Sequence, residues 1–432
     1  MALTRRQLVV GIGSTLGLAA CTSPSARAPG SSPTDSGATS TASAQASGSG
    51  KAVDWASDLD ALVKGIEATH PNPWWREPRA AFLAQVDTLK RTLPAMDRRA
   101  QEVAVMELVA TIDGHTAVYP TDLGWHFLAI QFYEFAGTTI VTAYPERPDL
   151  VGATLETIGD ATLAEARRRL EPLANHDNDQ TITLLMPLTY VMPEALAVKG
   201  LVTRGATPSF GLRTIGGEQA TATPASLDYA GYVATVGWDP VGLPPRDAPL
   251  VLTRRREPIW WSTLPGGALH VVYNQVQAAS KDAAAPVLAA AADPRHPGVI
   301  IDIRNNPGGN NQTYAAFLAA VRDPRLQGRR VVVIGRSTFS AAMNFAVDVE
   351  QSTDAVFVGE LTGARPNLYG DVRPVRMPNS GLVANVSSRY WPKAGPSDNR
   401  TALDPDVKVE WTAQDFLDGR DPVLDAAVKA LR

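Results

Sequence analysis

This 432-residue chain has little cysteine, no excess of positive charge and no long apolar segment after its N-terminus. Its one cysteine, Cys21, excludes a disulfide framework and a cysteine-rich metal site. The net charge of −4 excludes a global basic field of the kind that attracts nucleic acid. After the N-terminus no run of about 20 apolar residues occurs, which excludes an internal membrane span. With 44% hydrophobic and 19% charged residues, the composition is globular.

Residues 1–21 have the pattern of a targeting signal. Arg5 and Arg6 precede an apolar stretch, and small residues lead up to Cys21 at its end. This pattern resembles a bacterial lipoprotein signal with lipidation at Cys21, although an ordinary secretory signal with an incidental cysteine also stays open. Sec and twin-arginine export both stay open as well. Residues 22–50 consist almost entirely of small and polar residues, which cannot bury enough surface to fold, so we predict a disordered linker. The two segments together predict a lipid-anchored protein on the extracytoplasmic face of the cell membrane.

Three regions of different periodicity follow the linker. Residues 51–118 repeat apolar side chains at three- and four-residue spacing, which predicts a helical N-terminal domain. Residues 119–250 contain short strand-like runs and a hairpin signal at Ala136 and Gly137, which predict a β-rich middle module. Residues 251–432 alternate apolar strands with helices. The fold class is therefore α/β, in a multidomain chain that also contains separate helical and β-rich parts.

The alternation is clearest in the second half of the third region. Strands are predicted at 298–303, 330–335 and 355–359, and helices at 312–323 and 340–351. Continuous apolar strands that alternate with helices indicate a parallel sheet with right-handed crossovers. The turns after neighbouring parallel strands meet at one sheet edge, where α/β proteins place their sites.

Two of these turns carry residues suited to acyl transfer. Ser340 follows a buried strand and begins a helix, where it can be a helix N-cap or a nucleophile. Gly308 and Gly309 follow the preceding strand and can leave backbone N–H groups uncovered, although they can also be an ordinary turn. Asp302 and Arg304, beside that turn, are predicted to form a structural ion pair or hydrogen-bond network.

A serine nucleophile needs a base, and one of the six histidines stands out. His115 lies in the sequence Asp-Gly-His-Thr at 113–116, at the end of a predicted helix and on a glycine-flexible turn. A single histidine is more often structural than catalytic, so both roles stay open at this point.

Four motifs in order resemble the tail-specific or C-terminal processing peptidases, the clan that includes tricorn protease. They are Asp-Gly-His-Thr at 113–116, Asp-Ile-Arg-Asn-Asn-Pro-Gly-Gly-Asn at 302–310, Thr-Phe-Ser-Ala-Ala at 338–342 and Asp-Pro-Asp at 404–406. The resemblance covers most of residues 53–432. It implies a crotonase-like catalytic domain, a helical N-terminal part, often a PDZ-like module, and serine peptidase activity. For the middle module, a PDZ-like fold and a plain β-rich connector both stay open.

The resemblance also implies roles for single residues. Ser340 matches the family nucleophile, and the N–H groups of Ala341 and of Gly308 or Gly309 match its oxyanion hole. The lysine base of the processing-peptidase branch falls at Arg365, which stays protonated and has no acceptor. A Ser–Lys dyad with its base at Arg365 is therefore excluded, and that side chain becomes a candidate for binding a substrate carboxylate.

The tricorn-like branch uses a histidine that is held by an acidic residue. His115 matches the histidine, and Asp398 stands where the branch has its glutamate, with Asp404 as a competitor. Gly114 is a departure, because tricorn proteases carry a serine there. A triad of this kind predicts hydrolysis that rises with pH near neutrality, as the imidazole loses its proton.

We therefore expect a serine-type endopeptidase that works without cofactor or metal on peptide or protein substrates and does not bind nucleic acid. The alternative from another class is a catalytically inactive scaffold that binds peptides or cell-envelope components. An α/β-hydrolase esterase is disfavoured because the sequence has no Gly-x-Ser-x-Gly around the serine.

Overall fold

The computed structural model describes residues 53–242, 244 and 248–431. The predicted signal, with Cys21, and the linker lie outside the described residues. Three helices open the described chain: α1 Trp55–Thr69, α2 Arg79–Thr92 and α3 Arg98–Ala110. Helix α1 begins where the Asp54 carboxylate accepts the N–H of Ser57, and it buries the apolar stripe that includes Leu59, Leu62 and Ile66. The helical character predicted for this region agrees with the structure.

The middle of the chain contains both strands and helices. Its strands are β1 Phe127–Leu128, β2 Gln131–Phe135, β3 Thr138–Ala143, β4 Thr154–Ile158, β5 Ala161–Thr162, β6 Phe210–Arg213, β7 Gln219–Ala222 and β8 Ser226–Leu227. Its helices are α4 Leu163–Leu170, α5 Asp179–Thr189, α6 Pro193–Val198, α7 Tyr229–Val236 and α8 Leu250–Thr253. An antiparallel sheet has the order β2-β3-β4-β6-β7, with β5 paired to β4. The hairpin predicted at Ala136 and Gly137 is confirmed, because both residues have positive φ between β2 and β3.

The N-terminal helices and the middle module bury one common hydrophobic cluster. It joins Leu59 of α1 and Val109 of α3 to Leu155 of β4 and Phe210 of β6, all of them at most 2% exposed. Since these regions share a core, the packing of each region stabilises the other. The PDZ-like and crotonase-like identities stay predictions.

The last third is the predicted α/β region. Its strands are β9 Ile259–Thr263, β10 Leu269–Tyr273, β11 Val299–Asp302, β12 Arg330–Ile334, β13 Val356–Gly359, β14 Asn367–Arg376, β15 Val383–Pro392 and β16 Val407–Lys408. Its helices are α9 Ala284–Ala292, α10 Ala315–Val321, α11 Ser340–Ser352, α12 Ala413–Leu417 and α13 Pro422–Ala430. The sheet has the order β16-β13-β12-β11-β10-β9, parallel except for the antiparallel pair β9 and β10.

The three predicted strands and their parallel pairing are confirmed. Asp302, at the end of β11, lies opposite Val333 of β12, so the two strands finish at the same sheet edge. The segments that follow them, 303–310 and 335–340, therefore lie side by side, as expected for neighbouring parallel strands.

The long hairpin of β14 and β15 was not predicted. It reaches the segment after α3, where Ala117 and Asn385 exchange backbone hydrogen bonds of 3.0 and 2.8 Å. A second connection starts at Asn178, the N-cap of α5. Its side-chain amide donates to the carbonyl groups of Thr362 and Thr401, at 3.0 and 2.7 Å. Through these contacts the N-terminal and middle parts of the chain reach the edge of the parallel sheet.

Candidate active site

Ser340 occupies a strained position at the first residue of α11, shortly after β12. Its φ is +50°, a left-handed value that non-glycine residues rarely adopt, and the residue is 3% exposed. The N-cap of α11 is Phe339, and no side chain caps that helix. The interpretation of Ser340 as an N-cap is therefore wrong. Strain of this kind costs about 1–3 kcal/mol and is concentrated at functional sites.

The glycine turn lies directly against Ser340. Gly308 and Gly309 have φ of +109° and +140°. A Cβ atom on Gly308 would lie 2.6 Å from the Cβ of Ser340 and 2.8 Å from the backbone N of Ala341, so only glycine fits there. The structure thus brings together the two turns that the sequence singled out.

Asn306 fixes the turn, and sequence reasoning missed it. Its Oδ1 accepts the N–H of Gly308 at 2.9 Å, and its backbone carbonyl accepts the N–H of Phe339 at 3.1 Å. One of the predicted oxyanion donors, the N–H of Gly308, is therefore already engaged. The N–H of Ala341 lies in the first turn of α11, where amides have no intrahelical acceptor.

The turn of His115 is built around the Asp113 carboxylate. That carboxylate accepts the backbone N–H groups of His115 and Thr116, at 2.6 and 2.8 Å, and the hydroxyl of Ser387 of β15, at 3.1 Å. It also hydrogen-bonds His70 Nε2 at 2.7 Å. Asp113 therefore shapes the backbone that carries His115, and four of its partners lie in the turn, in β15 and near the end of α1.

The imidazole of His115 lies beside the residue that precedes Ser340. Its ring centroid is 4.4 Å from that of Phe339, and its Nε2 is buried without a hydrogen-bond partner. Burial lowers the pKa of His115 to about 4, against a smaller opposite effect of the Asp113 charge. The ring is therefore neutral at pH 7 and can accept a proton.

The two carboxylates considered for the acidic role lie elsewhere. Asp398 forms an ion pair of 2.7 Å with Arg400, and this hydrogen bond lowers its pKa. Asp404 pairs with Lys408 at 3.0 Å, and both side chains are more than half exposed. Among the described residues no carboxylate hydrogen-bonds the imidazole of His115. The Asp398 carboxylate is engaged by Arg400, and its role in a triad stays a prediction.

A loop of the middle module hydrogen-bonds both the backbone N–H and the backbone carbonyl of Gly114. Asn175 Nδ2 donates to the Gly114 carbonyl at 2.6 Å, and Asp177 Oδ1 accepts the Gly114 N–H at 2.9 Å. A Cβ on Gly114 would lie 2.9 Å from that same oxygen, which explains glycine at this position. Burial and the charge of Asp113 raise the pKa of Asp177 to about 6. Sequence reasoning missed both residues, because they lie some sixty positions away and match no motif.

Asp302 and Arg304 form the predicted structural network. Arg304 donates to both oxygens of Asp302, at 2.6 to 3.1 Å, and to Asp421, the N-cap of α13, at 2.7 Å. His270 Nε2 lies 3.3 Å from Asp302. Against the effect of burial, the Arg304 charge holds the pKa of Asp302 well below its usual range. This network joins β11 to the last helix.

In the part of the chain that the structure describes, no three His, Cys, Asp or Glu side chains are placed to hold a metal ion. No helix in that part combines the length and apolar character needed to cross a bilayer.

Comparison of the sequence with family models and with curated proteins gives no match. Solved structures match in fold. A point mutant of CPAF aligns with a TM-score of 0.63 at 13% identity, covering 87% of this chain and 96% of that chain. Mature CPAF gives 0.62 at 14% identity with the same coverage. The photosystem II D1 C-terminal processing protease, at 15% identity, covers 86% of this chain and 99% of its own, with a TM-score of 0.41. The predicted resemblance is confirmed at the level of the fold.

Proposed function

We propose that this chain is a serine peptidase with Ser340 as nucleophile and His115 as base. The observation that carries the proposal is the strained φ of Ser340, on a turn packed against Gly308 and next to a buried, neutral imidazole. The helix cap does not explain this serine, since the cap is Phe339. The likeness in fold to CPAF supports a peptidase as the activity of this scaffold.

The mechanism proceeds through an acyl-enzyme. Ser340 Oγ attacks the carbonyl carbon of the peptide bond while His115 takes the hydroxyl proton. The N–H of Ala341, in the first turn of α11, stabilises the resulting oxyanion. When the bond breaks, His115 returns the proton to the leaving amine. Water then enters, again with His115 as base, and releases the acyl group from Ser340.

The imidazole is oriented through the backbone that carries His115 and not, among the described residues, by a carboxylate bound to the ring. Asp113 fixes the turn of His115, and Asn175 and Asp177 hold the neighbouring Gly114 peptide. Asp398 is the third member of the sequence-predicted triad. It can take that role only if its carboxylate leaves Arg400, and the substitution Asp398→Asn tests this.

The experiment is labelling of the purified full-length chain by a fluorophosphonate probe. The wild type is expected to be labelled and Ser340→Ala not at all, while His115→Gln slows labelling by about 10²–10⁴-fold. Ser337→Ala is the matched control, because Ser337 is a buried serine of the same loop and the proposed mechanism gives it no role. Undiminished labelling of Ser340→Ala would show that the site is wrong.

A second candidate function is peptide binding without hydrolysis. The observation that favours it is the Asp398–Arg400 ion pair, which leaves the imidazole without an acidic partner. A wild type that never reacts with the probe, yet binds peptides, would establish this alternative.

We also propose that the chain is a lipoprotein anchored through Cys21, which is the only cysteine and ends the signal-like segment. Cys21→Ala is expected to move the protein from the membrane fraction to the soluble fraction or to block processing of the signal. If Cys21→Ala fractionates with membranes as the wild type does, the anchor is elsewhere.

A further inference from the structure

Arg365 differs from the other arginines near the sheet edge in having no carboxylate partner. Arg304 pairs with Asp302 and Asp421, and Arg336 pairs with Glu360 at 2.9 Å. Among the described residues Arg365 forms no ion pair, and its Nε is buried without a hydrogen-bond partner. A buried guanidinium nitrogen without an acceptor is costly, so its retention needs an explanation.

The loop that carries Arg365 packs against the nucleophile segment. The N–H of Ala364 donates to the carbonyl of Thr338 at 3.4 Å, two residues before Ser340. A Cβ on Gly363 would lie 3.8 Å from the ring of Phe339 and would clash with the carbonyl of Arg336. Arg365 is therefore anchored next to the catalytic serine.

The same residue also faces the turn of His115. Asp177 accepts the N–H of Gly114, and the charge and backbone N–H of Arg365 oppose the upward shift of the Asp177 pKa. The two carboxylate oxygens of Asp177 nevertheless form no ion pair with this arginine, and Asp177 Oδ2 is buried without a partner. Arg365 thus lies between the two catalytic turns without being neutralised by a direct contact.

The guanidinium of Arg365 lies over the ring of Trp75. Arg365 Cζ lies 4.4 Å from the centroid of the Trp75 ring, and Trp75 Nε1 is a second buried donor without a partner. A guanidinium that stacks through its face keeps its N–H groups in the plane, where they match the two oxygens of a carboxylate. Arg76 adds a second positive charge, with its Cζ 5.8 Å from the same ring centroid.

We propose that Arg365, stacked on Trp75, forms a subsite that binds a carboxylate of the substrate beside the scissile bond. This inference rests on the proposed function, because it gives the peptidase its substrate class. The ligand is a peptide with a carboxylate close to the bond cleaved. That carboxylate can belong to an Asp or Glu side chain or to the free C-terminus of the peptide.

The test measures peptide binding to full-length Ser340→Ala by calorimetry, which needs no turnover. Three N-acetylated peptides are compared: Ala-Ala-Glu-Ala-Ala amide, Ala-Ala-Gln-Ala-Ala amide, and the Gln peptide with a free C-terminal acid. At least one carboxylate peptide is expected to bind about tenfold or more tightly than the neutral Gln amide. The Glu amide and the Gln acid then distinguish the side chain from the C-terminus as its source.

The preference is expected to disappear in Ser340→Ala with Arg365→Gln, and to persist with Arg373→Gln, an exposed arginine on β14. Equal affinity for all three peptides, no measurable binding of either carboxylate peptide, or a preference that survives Arg365→Gln would overturn the proposal. Fluorophosphonate labelling of the wild type from the same preparation tests the proposed function separately. A labelled enzyme without carboxylate preference refutes only the subsite.

Discussion

Two groups of buried polar side chains in this molecule differ in how completely their charges and polar atoms are paired. In the Arg304 cluster, formed by Asp302, Arg304 and Asp421, all three guanidinium nitrogens donate to carboxylates, and one carboxylate oxygen, Asp421 Oδ2, is buried without a partner. In the Arg365 cluster, formed by His115, Asp177 and Arg365, each side chain keeps one buried polar atom without a partner. Since an unmet buried hydrogen bond costs about 1–3 kcal/mol, the second arrangement reduces stability. The difference is consistent with a first cluster that holds the fold, and it motivates the proposal that the second receives a ligand.

The largest expected effect is a loss of stability when the Arg304 cluster is broken. Arg304→Met leaves Asp302 and Asp421 buried without their cation, so the free energy of unfolding should fall by about 3–5 kcal/mol. Arg365→Gln is the matched control, because it removes an arginine without an ion pair and should change stability by less than about 1 kcal/mol. Urea unfolding of both variants measures this. Equal losses would remove the distinction between the clusters.

The pH dependence tests the second cluster. Because burial lowers the pKa of His115 to about 4, the base is neutral above that value and becomes protonated only below it. Turnover over affinity, kcat/KM, should therefore be lost as the pH falls through about 4 and be independent of this group at pH 6 to 7. The sequence alone predicted this limb near neutrality. A midpoint close to 6.5 would mean that the imidazole is solvated or paired with a carboxylate in solution.

A smaller effect is expected where the middle module holds the turn of His115. Asn175→Ala removes the donor to the Gly114 carbonyl, a hydrogen bond that contributes about 0.5–1.5 kcal/mol. We expect kcat to fall by up to about tenfold with KM nearly unchanged, because the position of His115 is disturbed and the subsite is not. Steady-state kinetics with a peptide substrate measure the two constants. A change confined to KM would place Asn175 in substrate binding instead.

The smallest effect concerns Asp398. Since its carboxylate pairs with Arg400 and not with His115, Asp398→Asn should change kcat by no more than a few-fold. A loss of about 10⁴-fold, as expected for a triad carboxylate, would instead establish the triad that the sequence predicts. Arg400→Gln is the informative companion, because it frees Asp398 without removing it.

Sequence reasoning succeeded where the information is local. The strands that end at Asp302 and Ile334 are continuous apolar runs, and the turns after them carry Gly308 and Ser340, so their meeting at one edge follows from parallel pairing. The predicted Asp302–Arg304 pair is confirmed. It could be predicted because the two residues lie only two positions apart.

The rest of the site depends on contacts between distant segments, which composition and periodicity do not encode. Asn175 meets Gly114 across 61 positions of sequence, and Ser387 meets Asp113 across 274. The cap assigned to Ser340 failed for another reason. Residue type alone does not show whether φ is positive, and only the packing of Gly308 against the serine reveals it.

Asn178 has a consequence for anyone who wishes to re-engineer this protein. It ends one loop of the middle module, yet its amide joins carbonyl groups on two segments of the α/β region. A module attached in this way cannot be replaced without also replacing its contacts with the α/β region. A chimaera that swaps residues 119–250 for a foreign sequence must reproduce an amide at this position, together with Asn175 and Asp177, or it will release the turn of His115. Grafting designs should therefore cut within the antiparallel sheet, distal to α5, and leave residues 174–181 with the recipient.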